Sequence, residues 1–167
     1  AAILKDRGWK VHSLDRHPNP DPAIVSHICD VTSDNELHDR ASEIGEIDAL
    51  VTCAGINLRP DDSRAEQLKL DAWHQTLAVN LTGVMLSVRA FRPSMRSDGA
   101  IVLLSSIAAL RAMPLADAYT ASKGALVALT RSWSVDYGRF GIRVNCICPG
   151  PTATEMMSGV MEAFSAG

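Results

Sequence analysis

Short unbroken apolar runs alternate along this chain with longer stretches whose apolar positions recur every three to four residues. These are the periods of buried strands and of amphipathic helices. Residues 1–7 read as the end of a helix that Gly8 closes as a C-terminal cap. Strands are predicted at 10–14 and 24–29. Ser33 is placed to cap a helix over 34–44, with Glu36 completing a capping box. Residues 49–53 form a continuous apolar strand, expected to be buried on both faces as in a parallel sheet covered by helices. A long helical period runs over 71–96, a buried strand over 101–104, a helix over 117–137, and a last strand over 143–147, broken by Pro149-Gly150. Repeated strand–helix units predict an α/β fold, a doubly wound and mostly parallel sheet in one domain.

Polar residues recur at the same end of each strand: Asp15-Arg16, Asp30-Val31, Ala54-Gly55, Ser105-Ser106 and Pro149-Gly150. Packing alone gives no reason for that. In a doubly wound sheet, ligands bind at the carboxyl ends of the strands, where small and turn-forming residues let the backbone come close. The polar run 59–64 reads as a surface loop.

Composition narrows the class. At 167 residues with 47 % hydrophobic and 21 % charged positions, the chain falls in the range of an ordinary globular domain. A net charge of −3 leaves no basic footprint for nucleic acid. No apolar stretch is long enough to span a bilayer, and no signal peptide is evident. Cys29, Cys53, Cys146 and Cys148 lie in or beside apolar, strand-like runs without metal-binding spacing. They read as buried, reduced thiols of a cytoplasmic protein that holds no metal.

The chemistry concentrates at Tyr119 and Lys123. At i and i+4 on one helix, both side chains can act on one bound molecule. Free tyrosine titrates near ~10, and a neighbouring positive charge favours the phenolate, so the pair suits proton transfer at neutral pH. Ser106 lies thirteen residues upstream and Asn80 further upstream.

With these residues in view, the chain resembles the classical short-chain dehydrogenase/reductase family. The resemblance is carried in order by Cys29-Asp-Val, Leu50-Val-Thr-Cys-Ala-Gly-Ile, Val79-Asn-Leu-Thr-Gly-Val, Ile101-Val-Leu-Leu-Ser-Ser-Ile-Ala, Tyr119-Thr-Ala-Ser-Lys and Arg143-Val-Asn-Cys-Ile-Cys-Pro-Gly-Pro-Thr-Ala-Thr. It implies hydride transfer between a nicotinamide cofactor and a secondary alcohol or ketone. Tyr119 would be the general acid/base, and Lys123 would tune it and bond the nicotinamide ribose. Ser106 would bond the substrate oxygen, with Ser105 as the alternative, and Asn80 would hold a water in the relay to Lys123.

The same resemblance assigns Asp15 to the adenosine ribose, which favours NAD over NADP; Arg16, able to pair with a 2′-phosphate, argues the other way. Asp30 would sit against the adenine with Val31 packing beside it. Ala54 and Gly55 would admit the cofactor to close approach, and Pro149, Gly150, Thr152 and Thr154 would flank the nicotinamide and phosphates. Cys53 stands where the family has an asparagine that ties neighbouring strands together. The family's first strand and glycine-rich loop would precede residue 1, and a C-terminal substrate segment would follow residue 167. The chain therefore reads as part of one Rossmann-like domain. A homotetramer is implied, packed through helices 70–96 and 117–137. A non-catalytic member that senses a dinucleotide or serves as a scaffold is the alternative.

Overall fold

The computed structural model describes residues 2–152. In chain order the elements are α1 (Ala2–Asp6), β1 (His12–Asp15), β2 (Val25–Ile28), α2 (Asp34–Ile44), β3 (Ile47–Thr52), α3 (Leu70–Leu77), α4 (Gly83–Phe91), β4 (Met95–Leu104), α5 (Asp117–Gly138) and β5 (Arg143–Ile147). Every strand pairing is parallel: β1 with β2, and β3 with β4, which in turn pairs with β5. The Rossmann-like α/β architecture expected from the alternating pattern is thus present. Among the described residues no helix is long and apolar enough to cross a membrane.

The core explains why the helices lie where they do. Ile101 and Leu103 of β4 are fully buried, and they cluster with Val84 and Val88 of α4, Leu126 of α5 and Val144 of β5. Burying each such side chain contributes about 1.5–3 kcal/mol. The other side of α4 closes a second cluster, in which Leu86, Ala90 and Phe91 meet Leu37 and Ala41 of α2 and Cys29. α4 therefore contributes to both clusters, joining α2 to the core, while α5 packs directly on β4 and β5. Gly83 lets this layer close: a Cβ there would come within 2.9 Å of Val31 Cγ2, so the loop after β2 lies directly on α4.

Five expectations are corrected, the last being that all four cysteines are buried. The helical period over 71–96 is not one helix. It breaks at a π-type turn over Ala78–Thr82 and again at a 3₁₀ turn over Arg92–Ser94, where Pro93 sits at the turn's start. β4 then begins at Met95, well before the expected residue 101. β3 is not buried on both faces: Val51 is 44 % exposed and lines a space that β1 also lines. The capping box at α2 is half formed. The Ser33 hydroxyl accepts the Glu36 N–H, but the Glu36 carboxylate accepts the N–H of Asp30 rather than that of Ser33. Of the cysteines, Cys29 is buried, Cys146 and Cys148 are half-buried, and Cys53 is exposed.

Candidate active site

The ends of β4 and β5 and the first two turns of α5 meet at one place. Ser105 continues the β4–β5 ladder by donating its N–H to Ile147 O at 2.8 Å. Its hydroxyl donates to Lys123 O at 2.7 Å, inside the body of α5. The next residue behaves differently. Ser106 Oγ accepts the N–H of Ala108 at 3.2 Å, which leaves its own proton to be donated outward. Strand alternation separates the two roles: the Ser105 hydroxyl fastens the helix, and the Ser106 hydroxyl retains donor capacity.

Tyr119 and Lys123 share one face of α5, as i, i+4 spacing requires, and both are buried. The Lys123 ammonium donates to Leu104 O at 2.9 Å and stands 5.7 Å from the centre of the Tyr119 ring. Burial pushes the Lys123 amine below its ordinary value, while the Cys146 and Cys53 side chains act in the opposite direction. A carbonyl partner bonds the ammonium without supplying a full neutralising charge, so desolvation prevails.

Gly55 stands directly against this lysine. A Cβ at Gly55 would lie 3.3 Å from Lys123 Nζ and 3.5 Å from Asn80 Oδ1. Asn80 is fully buried in the π-type turn, which offsets α4 from α3 by an extra residue. Its Oδ1 accepts the N–H of Ile56 at 2.7 Å, and its Nδ2 donates to Ile56 O at 2.9 Å and to Ser122 Oγ at 3.2 Å. The side-chain amide is thus engaged with backbone and with α5.

The remaining sequence candidates line a second region. Asp15, Asp30, Val31, Ala54 and Gly55, together with Arg16 and Cys53, lie at the carboxyl-end side of the space between the β1–β2 and β3–β4–β5 sheets. Asp15 Oδ1 accepts the His17 N–H. Asp30 Oδ1 accepts both the N–H and the hydroxyl of Thr32 at 2.8 Å, which holds its carboxyl below the usual range. Pro149 O accepts the Ile107 N–H, tying the turn after β5 to Ser106's loop, and the Thr152 hydroxyl donates to Gly150 O. Thr154 lies outside the described residues. Asp15 and Asp30 follow strands β1 and β2, and the Ala54-Gly55 turn follows β3, so residues that could hold a dinucleotide lie at the carboxyl ends of parallel strands, with Gly55 beside Lys123.

One polar residue escapes the expectation of a surface loop. Asp62 is 1 % exposed, and its two carboxylate oxygens accept the N–H groups of Ala118 and Tyr119 at 2.9 and 2.8 Å. Its partners lie 56 and 57 positions away. The only local hint is that α5 begins at Ala116-Asp117-Ala118, where Ala116 offers no side-chain cap.

Known proteins align with this arrangement. The family model described as Enoyl-(Acyl carrier protein) reductase matches residues 5–166. The 2-(R)-hydroxypropyl-CoM dehydrogenase of Xanthobacter autotrophicus is 41 % identical over 116 residues, covering 68 % of this chain and 46 % of that protein. A Mycobacterium tuberculosis protein named as an uncharacterized NAD-dependent oxidoreductase is 37 % identical, over 93 % of this chain and 57 % of its own length. The chain therefore spans about half the length of these relatives. Ligand-free aldohexose dehydrogenase from Thermoplasma acidophilum superposes with a TM-score of 0.92 at 29 % identity, over 100 % of this chain and 66 % of that one. Taken with the ordered motifs and the parallel sheet that carries them, these matches show that the chain belongs to the classical short-chain dehydrogenase/reductase family.

Proposed function

We propose that this protein is an oxidoreductase that interconverts a secondary alcohol and a ketone with a nicotinamide dinucleotide. The observation that carries the reading is the cluster at α5. Tyr119 and Lys123 are buried on one helix face, and the lysine is fixed on the last residue of β4, two positions from Ser106. The 2-hydroxypropyl group in the Xanthobacter relative's name is itself a secondary alcohol, which supports the substrate class.

In this reading Asp15, Asp30, Val31, Ala54 and Gly55 hold the dinucleotide at the carboxyl ends of the strands, and Pro149, Gly150 and Thr152 flank its nicotinamide end. The bound dinucleotide supplies the hydride acceptor or donor. The protein supplies the proton chemistry. Ser106 donates a hydrogen bond to the substrate oxygen and fixes its position. The Tyr119 phenol gives its proton to that oxygen on reduction, and as phenolate takes the alcohol proton on oxidation. Lys123 places its ammonium 5.7 Å from the centre of the Tyr119 ring, within reach of the same bound substrate and cofactor. Asn80 contributes by holding Ile56, and through it the turn that carries Gly55, against α5; a water in its relay is part of the same proposal.

The Asp15 carboxylate at the end of β1 favours the ribose hydroxyls of NAD and disfavours a 2′-phosphate. We place the protein in the cytoplasm as a homo-oligomer, a tetramer by family analogy. The 70 and 76 % exposure of Leu70 and Val135, on α3 and α5, supports association through those helices. The reading is tested by titrating the intact polypeptide with NADH and with NADPH, following nicotinamide fluorescence, then assaying a panel of secondary alcohols. Tighter binding of NADH with turnover of at least one alcohol is expected. Binding of neither dinucleotide overturns the reading and leaves a scaffold.

A further inference from the structure

The first turn of α5 receives its capping contacts from a distant loop. The Asp117 N–H donates to Ser63 O at 3.2 Å, and the next two N–H groups, of Ala118 and Tyr119, each meet one oxygen of the buried Asp62 carboxylate. The Arg59 guanidinium, close enough to be influenced by Asp62, donates to Pro114 O. Residues 59–63 thus grip 114–119 at several points in succession. The same loop begins three residues beyond Ile56, whose backbone Asn80 holds. A helix of 22 residues carries a partial positive charge at its N-terminus, and a buried carboxylate there is stabilised by the dipole as well as by the two hydrogen bonds.

We propose that Asp62 is a positioning residue for the reaction: it sets the axial and rotational placement of Tyr119 by holding that residue's own peptide N–H, and so its distance to Ser106. The inference rests on the reading of Tyr119 as the proton-exchanging group. A hydrophobic contact cannot do this work, because it is non-directional, whereas two convergent N–H···O bonds fix both translation along the helix axis and rotation about it. Asparagine cannot replace it either. Its amide offers one acceptor and one donor to two N–H groups, so one bond is lost and a donor faces a donor.

The test compares Asp62→Asn, Asp62→Glu and Tyr119→Phe with the wild type in the intact polypeptide. Amide hydrogen exchange is measured alongside NAD-dependent oxidation of the secondary alcohol that the wild type turns over fastest. In Asp62→Asn, exchange at Ala118 and Tyr119 is expected to quicken about tenfold or more, with the middle of α5 unchanged. Its kcat is expected to fall by about 10- to 100-fold while the KM for NAD stays within about twofold. Asp62→Glu, which keeps both acceptors, is expected to recover part of kcat. Unchanged exchange overturns the proposal, as does a wild-type kcat in Asp62→Asn, or a loss confined to KM. If Tyr119→Phe is inactive while Asp62→Asn keeps full kcat, only the role of Asp62 falls. If Tyr119→Phe is fully active, the proton-exchange reading falls and the positioning role falls with it.

Discussion

Asn80 holds the backbone of Ile56 from both sides, accepting its N–H at 2.7 Å and donating to its carbonyl at 2.9 Å. One side chain thus does for this turn what a neighbouring strand does within a sheet. The grip extends to α5 through Ser122. Replacing the buried Asn80 with alanine removes both bonds to the half-buried Ile56 backbone, so a loss of about 1–3 kcal/mol is expected in urea unfolding. Turnover should fall with it, because Gly55 and Lys123 meet beside the same turn. A change below the error of the unfolding curve would show that the pairing is dispensable.

Gly55 makes a sharper steric prediction. Its backbone is outside the left-handed region, so an added methyl acts through its contacts, at 3.3 Å from Lys123 Nζ and 3.5 Å from Asn80 Oδ1. Gly55→Ala should lower kcat/KM by about tenfold or more, since small displacements of a reacting group are expensive. Steady-state kinetics close to wild type would mean that the ammonium moves aside without consequence.

The paired serines should separate cleanly. Ser105 is buried and its hydroxyl bonds Lys123 O, so Ser105→Ala should cost about 1 kcal/mol of stability. Ser106→Ala should leave stability nearly unchanged and lower kcat by about 10²- to 10³-fold, the usual effect of losing a donor aimed at a reacting oxygen. Thermal unfolding and kinetics on both variants check this. The reverse pattern would make Ser105 the substrate-facing hydroxyl.

Lys123 predicts a pH dependence. Burial lowers its folded-state pKa below its ordinary value of 10.5. Between the folded and unfolded values the unfolded chain binds the extra proton, so stability rises with pH across that window. Below the folded value the penalty for burying the ammonium is fully present; it is relieved as pH climbs toward 10.5. Relative to Lys123→Met, the wild type should therefore gain stability as denaturation is repeated from neutral pH to about 10. A parallel pair of curves would contradict this.

The strand positions and the Tyr119–Lys123 face were legible in the sequence because each rests on a short-range period. β2, α2 and β5 fall within a residue or two of their expected bounds. The π-type turn at Asn80 was not legible. Apolar residues on both sides keep a helical period, and the turn's stabilising partner is Ile56, 24 positions away. The early start of β4 was hidden by Arg96-Ser97-Asp98-Gly99, four polar or small residues that break the apolar run. Exposure of Val51 depends on what the rest of the fold packs over β3, a tertiary fact. Asp62 shows the same limit, since a carboxylate in a polar run looks solvated until the helix end that it caps is in place.

The central claim is that the Tyr119 phenol exchanges the substrate proton, and Tyr119→Phe tests it most directly. The ring still fills its place beside Ala108 and Ala116, so folding and dinucleotide affinity should be retained. The measurement is single-turnover hydride transfer with bound cofactor and a secondary alcohol at saturating concentration. Loss of the transfer by about 10²-fold or more, at unchanged cofactor affinity, is predicted. Transfer at the wild-type rate would contradict it.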